Sequence, residues 1–322
     1  GQGIQNHLHE RKLAWLVILP FLLGEFFAGF RLIGKRRFDA VNSHWLIPSG
    51  LIIGMLSRLF KINHIVTVHA ADYFLLSRIP AGKFFIRLIA KWSKALIPVN
   101  QKMADGIKQI CHAARVFVMP MGFEPEKFQK PDQGEMQQIK KEIAGEAKQI
   151  ILFVGKLTEK KGAKNLIEAM KILEQDFPDL QLLIAGEGAL RPELENRLGS
   201  LGLSHKVKLL GAVPHQKISL IYHLADLVVV PSIPDRYGES EGMPVVVLEA
   251  LASGRPVVGT VYCSAPLELK QGGFIEVAES SPTAIAEAVR RVLKGEIKVE
   301  FKLIDKYSWT EVAKFYAEVI SG

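Results

Sequence analysis

The chain has 322 residues, of which 48% are hydrophobic and 23% are charged, so it is long enough for two domains with cores and is not compositionally disordered. Its two cysteines lie far apart with no CxxC spacing, which argues against a zinc site or a disulfide scaffold and makes a reduced, cytosolic setting the default. Residues 1–128 carry 17 Lys and Arg against 7 Asp and Glu, whereas the remainder is nearly neutral, so we expect a basic surface facing an anionic partner such as a membrane or a phosphate-bearing substrate.

The first predicted element is the apolar segment 13–34, which is nearly long enough to span a membrane. Pro20 and Glu25 interrupt it, so we predict a buried or interfacial helix rather than a span. The basic cluster at 35–37 directly after it would suit contact with anionic lipid.

Short apolar runs then alternate with helical patterns, which is typical of βα units around a parallel sheet. The predicted strands are 64–70, 95–100, 115–122, 149–155, 180–186, 207–211, 226–232 and 256–260. The predicted helices are 48–60, 81–94, 164–177, 192–202, 215–225, 244–253 and the C-terminal segment 307–322, with Ser308 as its N-cap. Two doubly wound domains in series are expected, with ligands at the carboxyl ends of their strands.

Two acids, Glu241 and Glu249, lie eight residues apart around an apolar run. They could be a catalytic pair, two ends of a ligand site, or solvated charges on an ordinary helix. Pro244 suits a first helical turn, and eight helical residues span about 12 Å, against about 5 Å between the paired acids of a retaining glycosidase. We therefore expect the two acids to contact different parts of one elongated ligand, with the helix N-terminus suited to phosphate; a plain amphipathic helix is the alternative.

Two glycine-containing turns follow predicted strands at the same sheet edge. Gly155 ends one strand and is followed by Lys156, Lys160 and Lys161, which could neutralise phosphate oxygens. The loop lacks the GxxxxGK[ST] order of a Walker loop, and a solvated basic loop is the alternative. The other turn contains Gly188 but lacks the third glycine of the dinucleotide fingerprint, so a structural turn is the alternative there.

Polar side chains also follow strands in the first half. His69 lies at the end of the predicted strand 64–70 and Asp72 follows it, and His44 is singled out by the same logic, with a structural role as the alternative for each histidine. No HExxH, GxSxG or Asp-x-Asp pattern occurs in the sequence, so metal-dependent hydrolysis and serine-hydrolase chemistry lack support.

In their joint order these motifs resemble the retaining glycosyltransferases of family 4, which have the GT-B fold. The matching segments are HxxD at 69–72, GxxxxxF at 122–128, GKLxxxKG at 155–162, GxG at 186–188, the LG turn at 210–211, ADLVVVPS at 225–232 and E-x7-E at 241–249. The resemblance covers nearly the whole chain and implies two Rossmann-like doubly wound domains facing a cleft, with a C-terminal helix crossing back to the first domain. The implied division is an acceptor-side domain at 1–128, a linker and surface helix at 129–148, a donor-binding domain at 149–300 and the crossing helix at 301–322.

The resemblance implies a hexosyltransferase-like reaction, with retention, from a UDP-, GDP- or ADP-sugar to a hydroxyl of a lipid-linked or glycan acceptor. On the donor side it places Lys156 and Lys161 at the diphosphate, Gly155 and Gly188 along the donor site, and Glu249 at the ribose. It places Glu241 and the backbone of Gly242 and Met243 at the transferred sugar. In the first half of the chain it places His69 near the reacting centre, and His44 and Asp72 as acceptor or sugar contacts. No cofactor or metal is expected, because lysines and a helix terminus would stabilise the departing diphosphate.

The sequence departs from the family pattern at two places. Ala70 stands where a glycine usually follows the motif histidine, and the strand and glycine-rich loop that normally open the fold are not recognisable, so we expect a missing N-terminal portion. We predict a cytoplasmic enzyme, peripheral on the membrane, in polysaccharide, lipopolysaccharide or glycolipid synthesis. The alternatives are a non-catalytic nucleotide-sugar-binding fragment and a nucleotide-sugar epimerase, which the motif order disfavours. Nucleic acid is not an expected partner, because no binding motif accompanies the basic charge.

Overall fold

The computed structural model describes residues 15–145, 147–234, 241–296 and 304–322. They form two compact units, the first made of the described residues up to Met119 together with Tyr316–Gly322, and the second of Pro120–Phe315. Each unit contains a parallel sheet whose strands alternate with helices along the chain. The predicted α/β class is therefore confirmed.

The first unit is built on a three-stranded sheet in the order β1-β2-β3, with both neighbouring pairs parallel. Its elements are α1 (Trp15–Lys35), β1 (Ala40–His44), an irregular turn (Leu46–Gly50), α2 (Leu51–Phe60), β2 (Asn63–Val68), α3 (Ala70–Arg78), α4 (Gly82–Trp92), β3 (Ala95–Pro98) and α5 (Gln101–Ile110). The central strand β2 is buried from its second residue onward, as expected for an apolar run between two neighbours. His44 ends β1 and His69 follows β2, so both lie at the carboxyl edge of this sheet.

Helix α1 corresponds to the apolar segment predicted as a buried or interfacial helix. One face packs on α2, where Ile33 is buried and a Cβ at Gly29 would lie 3.0 Å from the Leu56 side chain. The other face is not buried, and it exposes Leu19, Leu23, Phe27 and Phe30. Among the described residues, none of the helices combines the length and the apolar content that crossing a bilayer would require.

The second unit is built on a six-stranded parallel sheet in the order β6-β5-β4-β7-β8-β9. Its elements are α6 (Gln133–Ile143), β4 (Gln149–Val154), α7 (Ala163–Leu173), β5 (Leu180–Ala185), α8 (Arg191–Leu201), β6 (Val207–Gly211), α9 (His215–Leu224), β7 (Leu227–Val230), α10 (Val245–Ala252), β8 (Val257–Thr260), α11 (Leu267–Gln271), β9 (Phe274–Val277), α12 (Pro282–Leu293) and the start of α13 (Trp309–Ser321). Alternate residues of β4 enter two separate apolar clusters, Leu152 in one and Ile151 in the other. The chain leaves β4 for β5 on one side and later returns to β7 on the other, which places a topological switch point at the carboxyl end of β4.

The C-terminal helix α13 begins with the predicted N-cap. The Ser308 Oγ accepts the N–H of Glu311 at 3.3 Å, which confirms the cap. Residues 316–322 of this helix belong to the first unit. There the Tyr316 hydroxyl lies 2.8 Å from the Thr67 hydroxyl of β2.

The observed strands and helices differ from the predicted ones in two ways. The strand predicted over 115–122 is reduced to one bridge pair, Val116 opposite Leu96, although the Phe117 N–H also donates to the Leu96 carbonyl at 3.1 Å. The Met119 N–H likewise donates to the Pro98 carbonyl at 3.1 Å, so the segment follows β3 as far as Met119. The strands β1 and β9 and the helices α3, α5, α11 and α12 were not among the predicted elements.

Candidate active site

A cavity of about 310 Å³ lies at the carboxyl ends of β4 and β5 in the second unit. Its lining residues are Val154, Gly155, Lys156, Ala185, Gly186, Glu187, Ala212, Val213, Ile218 and Glu249. The cavity therefore stands at the switch point, where a ligand is expected in a doubly wound sheet. Three of the predicted donor-binding residues, Gly155, Lys156 and Glu249, are brought together in its wall.

Glycines allow the loops after β4 and β5 to approach closely. The Leu157 N–H donates to the Glu187 carbonyl at 2.9 Å, and the Leu190 N–H donates to the Leu157 carbonyl at 3.1 Å. A Cβ at Gly188 would lie only 2.3 Å from that Leu157 oxygen, so no larger residue fits without moving the backbone. Gly188 does not line the cavity, and its predicted place at the phosphate end stays a prediction.

Lys161 and Glu241 form an ion pair of 3.1 Å between Nζ and Oε1. Both side chains are mostly buried, and they come from separate loops of the second unit. The loop that carries Lys161 ends at Gly162, which has a φ of +67° and whose Cβ would lie 1.9 Å from the Pro231 carbonyl oxygen. Glycine at this position therefore allows the lysine loop to lie against the end of β7. The ion pair joins Lys161, a predicted donor-binding residue, to Glu241, a predicted catalytic residue.

The Glu249 carboxylate is held in place by Tyr222, which was not predicted as a site residue. The Tyr222 hydroxyl on α9 donates to Glu249 Oε2 at 2.7 Å, and Tyr222 is completely buried. Burial raises the pKa of Tyr222, and the neighbouring Glu249 charge raises it further, so the tyrosine remains the proton donor. A tyrosine on the apolar face of a predicted helix was the available signal, because a buried hydroxyl requires a partner.

The two motif glutamates do not share a helix. Helix α10 begins at Val245, so Glu241 precedes it by four residues and the estimate of about 12 Å from helical rise does not apply to the pair. Between Glu241 and the helix, Met243 is buried in the apolar core, and its neighbour Gly242 is partly buried. The predicted contact of this backbone with a sugar stays a prediction.

In the first unit, His44 and His69 meet at the sheet edge. The His44 Nδ1 lies 3.0 Å from the His69 Nε2, and the rings stack with centroids 5.3 Å apart. Burial lowers the pKa of His69 to about 4, with a further contribution from His44, and burial also lowers the pKa of His44. Both rings are therefore neutral at neutral pH, so one donates and the other accepts the shared hydrogen bond.

Asp72 lies in the first turn of α3 and is only 2% exposed. One carboxyl oxygen accepts the N–H of Leu46, which fastens the turn after β1 to this helix. Burial raises the pKa of Asp72 to about 7, and backbone N–H groups, that of Leu46 first, oppose the increase. The geometry gives Asp72 a structural contact, and its predicted contact with acceptor or sugar stays a prediction. Among the described residues, no three His, Cys, Asp or Glu side chains are grouped so that they could hold a metal ion.

Two parallel α/β units, one with a switch-point cavity lined by a lysine and a glutamate, define the class of Rossmann-like α/β proteins. Residues 135–306, more than half of the chain, match the family described as glycosyl transferases group 1. The chain therefore belongs to this glycosyltransferase family.

Similar proteins support the same assignment. The amylovoran biosynthesis glycosyltransferase AmsK of Erwinia amylovora is 31% identical over 240 residues, which cover 74% of this chain and 53% of that protein. The chain thus spans about half the length of this relative. An uncharacterized glycosyltransferase of Methanocaldococcus jannaschii is 28% identical over 95% of this chain and 80% of its own length.

Among solved structures, the Anabaena protein HepE in complex with UDP superposes with a TM-score of 0.75 at 16% identity, covering 96% of this chain and 84% of that chain. The same protein has also been solved with UDP-glucose. At this identity the likeness concerns the fold, and it confirms the predicted GT-B fold of two Rossmann-like domains.

Proposed function

We propose that this chain transfers a sugar from a nucleoside diphosphate sugar to an acceptor hydroxyl, with retention of the anomeric configuration. The observation that carries the proposal is the switch-point cavity with Lys156 and Glu249 in its wall. Membership of the glycosyltransferase family supports the reaction class, and the HepE complexes with UDP and UDP-glucose support a uridine donor over GDP- or ADP-sugars. The retention rests on the motif resemblance to family 4.

In the proposed mechanism, each end of the donor has its own partner. The Glu249 carboxylate accepts hydrogen bonds from the ribose hydroxyls, and Lys156 and Lys161 compensate the charge that grows on the diphosphate as the sugar departs. The first turn of α10 adds N–H groups and a partial positive charge, so the proposed reaction uses no metal. Glu241 contacts the transferred sugar, and His69 of the first unit remains a predicted catalytic residue.

We further propose an acceptor that belongs to a polysaccharide, lipopolysaccharide or glycolipid pathway at the cytoplasmic face of a membrane. The name of AmsK supports a polysaccharide product in that relative. Membrane contact is supported by the exposed apolar face of α1. Arg31 and Lys35 follow Leu23 and Phe27 at four-residue spacing, so the cations continue the apolar stripe on the same side of the helix. Apolar side chains with flanking cations are the combination that binds an anionic bilayer surface.

Donor binding is tested by calorimetry with UDP-, GDP- and ADP-glucose and by release of the nucleoside diphosphate. We expect Lys161→Met to weaken binding of the favoured donor by about tenfold, since a charge-assisted contact is worth about 1.4 kcal/mol or more. Lys164→Met is the matched control, because Lys164 is exposed and pairs with Glu193 on another helix. Equal effects of the two lysine variants, or no binding of any donor to the wild type, would refute the donor site.

The roles of the two glutamates are separated by the same assays. Glu249→Ala should weaken donor binding, whereas Glu241→Ala should mainly slow turnover. Donor binding without any turnover in the wild type would favour the non-catalytic fragment over the enzyme.

Membrane contact is tested by flotation with vesicles of phosphatidylglycerol and phosphatidylcholine. A Leu23→Ser/Phe27→Ser variant should lose vesicle binding, whereas Ile172→Ser, which changes an exposed apolar residue of α7, should not. Unchanged flotation of the double variant would refute α1 as the contact surface.

A further inference from the structure

Trp45 adopts a backbone conformation that tryptophan rarely takes. It follows β1 directly and has a φ of 78° and a ψ of 138°. Non-glycine residues held at positive φ cost about 1–3 kcal/mol and persist only where the surroundings fix them. Three hydrogen bonds fix this one: Trp45 N–H to the Thr67 carbonyl, Gly50 N–H to the Trp45 carbonyl, and Leu46 N–H to the Asp72 carboxylate.

The side chain explains why a tryptophan stands at this position when glycine would form the same turn without strain. The residue is 41% exposed, so core packing does not account for it. Its ring centroid lies 6.4 Å from that of His69, which in turn stacks on His44. Three rings therefore form one aromatic cluster at the carboxyl edge of the first sheet, in which the Trp45 indole and His44 are exposed.

We propose that Trp45 is a stacking platform for a pyranose ring of a carbohydrate acceptor, a role that rests on the proposed glycosyltransferase function. The C–H face of a pyranose is apolar and packs on an aromatic face, while its edge carries hydroxyl groups. The neighbouring imidazoles suit these hydroxyls, because a neutral histidine offers both a donor and an acceptor nitrogen. Asp72 is then a positioning residue, since it holds the Trp45–Leu46 turn through the Leu46 N–H.

The platform is tested without any nucleotide sugar, by saturation-transfer NMR titration of methyl α-D-glucopyranoside, methyl α-D-mannopyranoside and methyl β-D-galactopyranoside. The variants are Trp45→Phe, Trp45→Ala and Trp45→Gly, with circular dichroism to verify folding. Glycine removes the side chain and accepts the native φ, so this variant separates loss of the platform from loss of the turn. Trp309→Phe is the matched control, because Trp309 is 46% exposed and lies on α13.

For the glycoside that binds best, we expect Trp45→Ala and Trp45→Gly to raise the dissociation constant by about five- to tenfold, the range of an aromatic stacking contact. Trp45→Phe and Trp309→Phe should stay within about twofold. Equal binding by all variants, a Phe variant as weak as the Ala variant, or no glycoside binding to the wild type near solubility would each overturn the platform. UDP binding by the same proteins reports separately on the donor site. If the wild type binds a glycoside but does not bind UDP, the proposed function is refuted and the glycoside result still stands.

Discussion

Replacing Tyr222 by phenylalanine removes one hydroxyl group and leaves the buried ring in place. That hydroxyl donates to Glu249 Oε2 at 2.7 Å, and Glu249 lines the cavity at the switch point. We predict that Tyr222→Phe weakens UDP binding although Tyr222 does not line the cavity. The reason is that the hydrogen bond orients the Glu249 carboxylate, which makes Tyr222 a positioning residue.

The expected magnitudes follow from the burial of the pair. A hydrogen bond to a charged group contributes about 1.5–3 kcal/mol to stability, so Tyr222→Phe should lower the free energy of unfolding by about 2 kcal/mol. A carboxylate that loses its preferred orientation should bind UDP about tenfold more weakly, which corresponds to about 1.4 kcal/mol. Glu249→Gln should weaken UDP binding at least as much, because it removes the charged acceptor itself.

Urea unfolding measures the stability, and isothermal titration with UDP measures the binding. Tyr307→Phe is a matched control, because Tyr307 is also buried and its hydroxyl donates to Glu268 Oε1 at 2.8 Å, away from the cavity lining. It should cost stability and leave UDP binding unchanged. The Tyr222→Phe/Glu249→Gln double variant should bind UDP no more weakly than Glu249→Gln alone, since both changes act through one carboxylate.

Two results would contradict this interpretation. If Tyr222→Phe binds UDP like the wild type while Glu249→Gln binds weakly, the hydroxyl does not position the carboxylate. If Tyr307→Phe weakens UDP binding as much as Tyr222→Phe, the effect reflects general destabilisation of the second unit.

Two further predictions concern stability. Gly188→Ala should lower the free energy of unfolding by about 1–3 kcal/mol, because the new Cβ would meet the Leu157 carbonyl. Gly199→Ala in α8 should raise the free energy of unfolding by up to about 1 kcal/mol, because no atom lies within 4 Å of the new Cβ. Equal urea midpoints of the two variants would contradict this prediction. Burial lowers the pKa of His64 from 6.5 to about 4, so the unfolded chain takes up a proton there before the folded one, and this histidine should contribute a loss of about 3 kcal/mol as the pH falls across that interval. His69, whose pKa is also lowered to about 4, adds to this trend. Asp72 has a raised pKa of about 7 and opposes this trend. The test therefore compares how the free energy of unfolding changes with pH in His64→Asn and in the wild type, and identical pH slopes would refute the prediction.

Most strands and many helices could be predicted because their signals are local, in buried β-branched runs and in glycines at strand ends. The loop lysines could be found for the same reason. The missed helix α12 also had a local signal, since the Ser281 Oγ caps it by accepting the Ala284 N–H at 3.2 Å and Pro282 opens its first turn. That signal was available in the sequence and was overlooked.

Partnerships between distant segments could not be predicted, because they depend on strand order and register. His44 pairs opposite Thr67 in the parallel ladder, and this register alone brings His44 beside His69, two residues farther along. The positive φ of Trp45 was equally hidden, because no sequence pattern assigns such a conformation to a tryptophan.

The two motif glutamates are spaced by sequence but supported by different means. Glu241 lies in a loop and pairs with Lys161 from another loop, and because both side chains are mostly buried, either charge is costly to leave without a partner. Glu249 lies in α10 and accepts a hydrogen bond from a fully buried tyrosine, which is more costly to break. In the proposed reaction, the donor diphosphate replaces Glu241 as the partner of Lys161, and the transferred sugar supplies new hydrogen-bond partners for the Glu241 carboxylate. Glu249 would keep its orientation throughout, so the motif combines one exchangeable acid with one fixed acid.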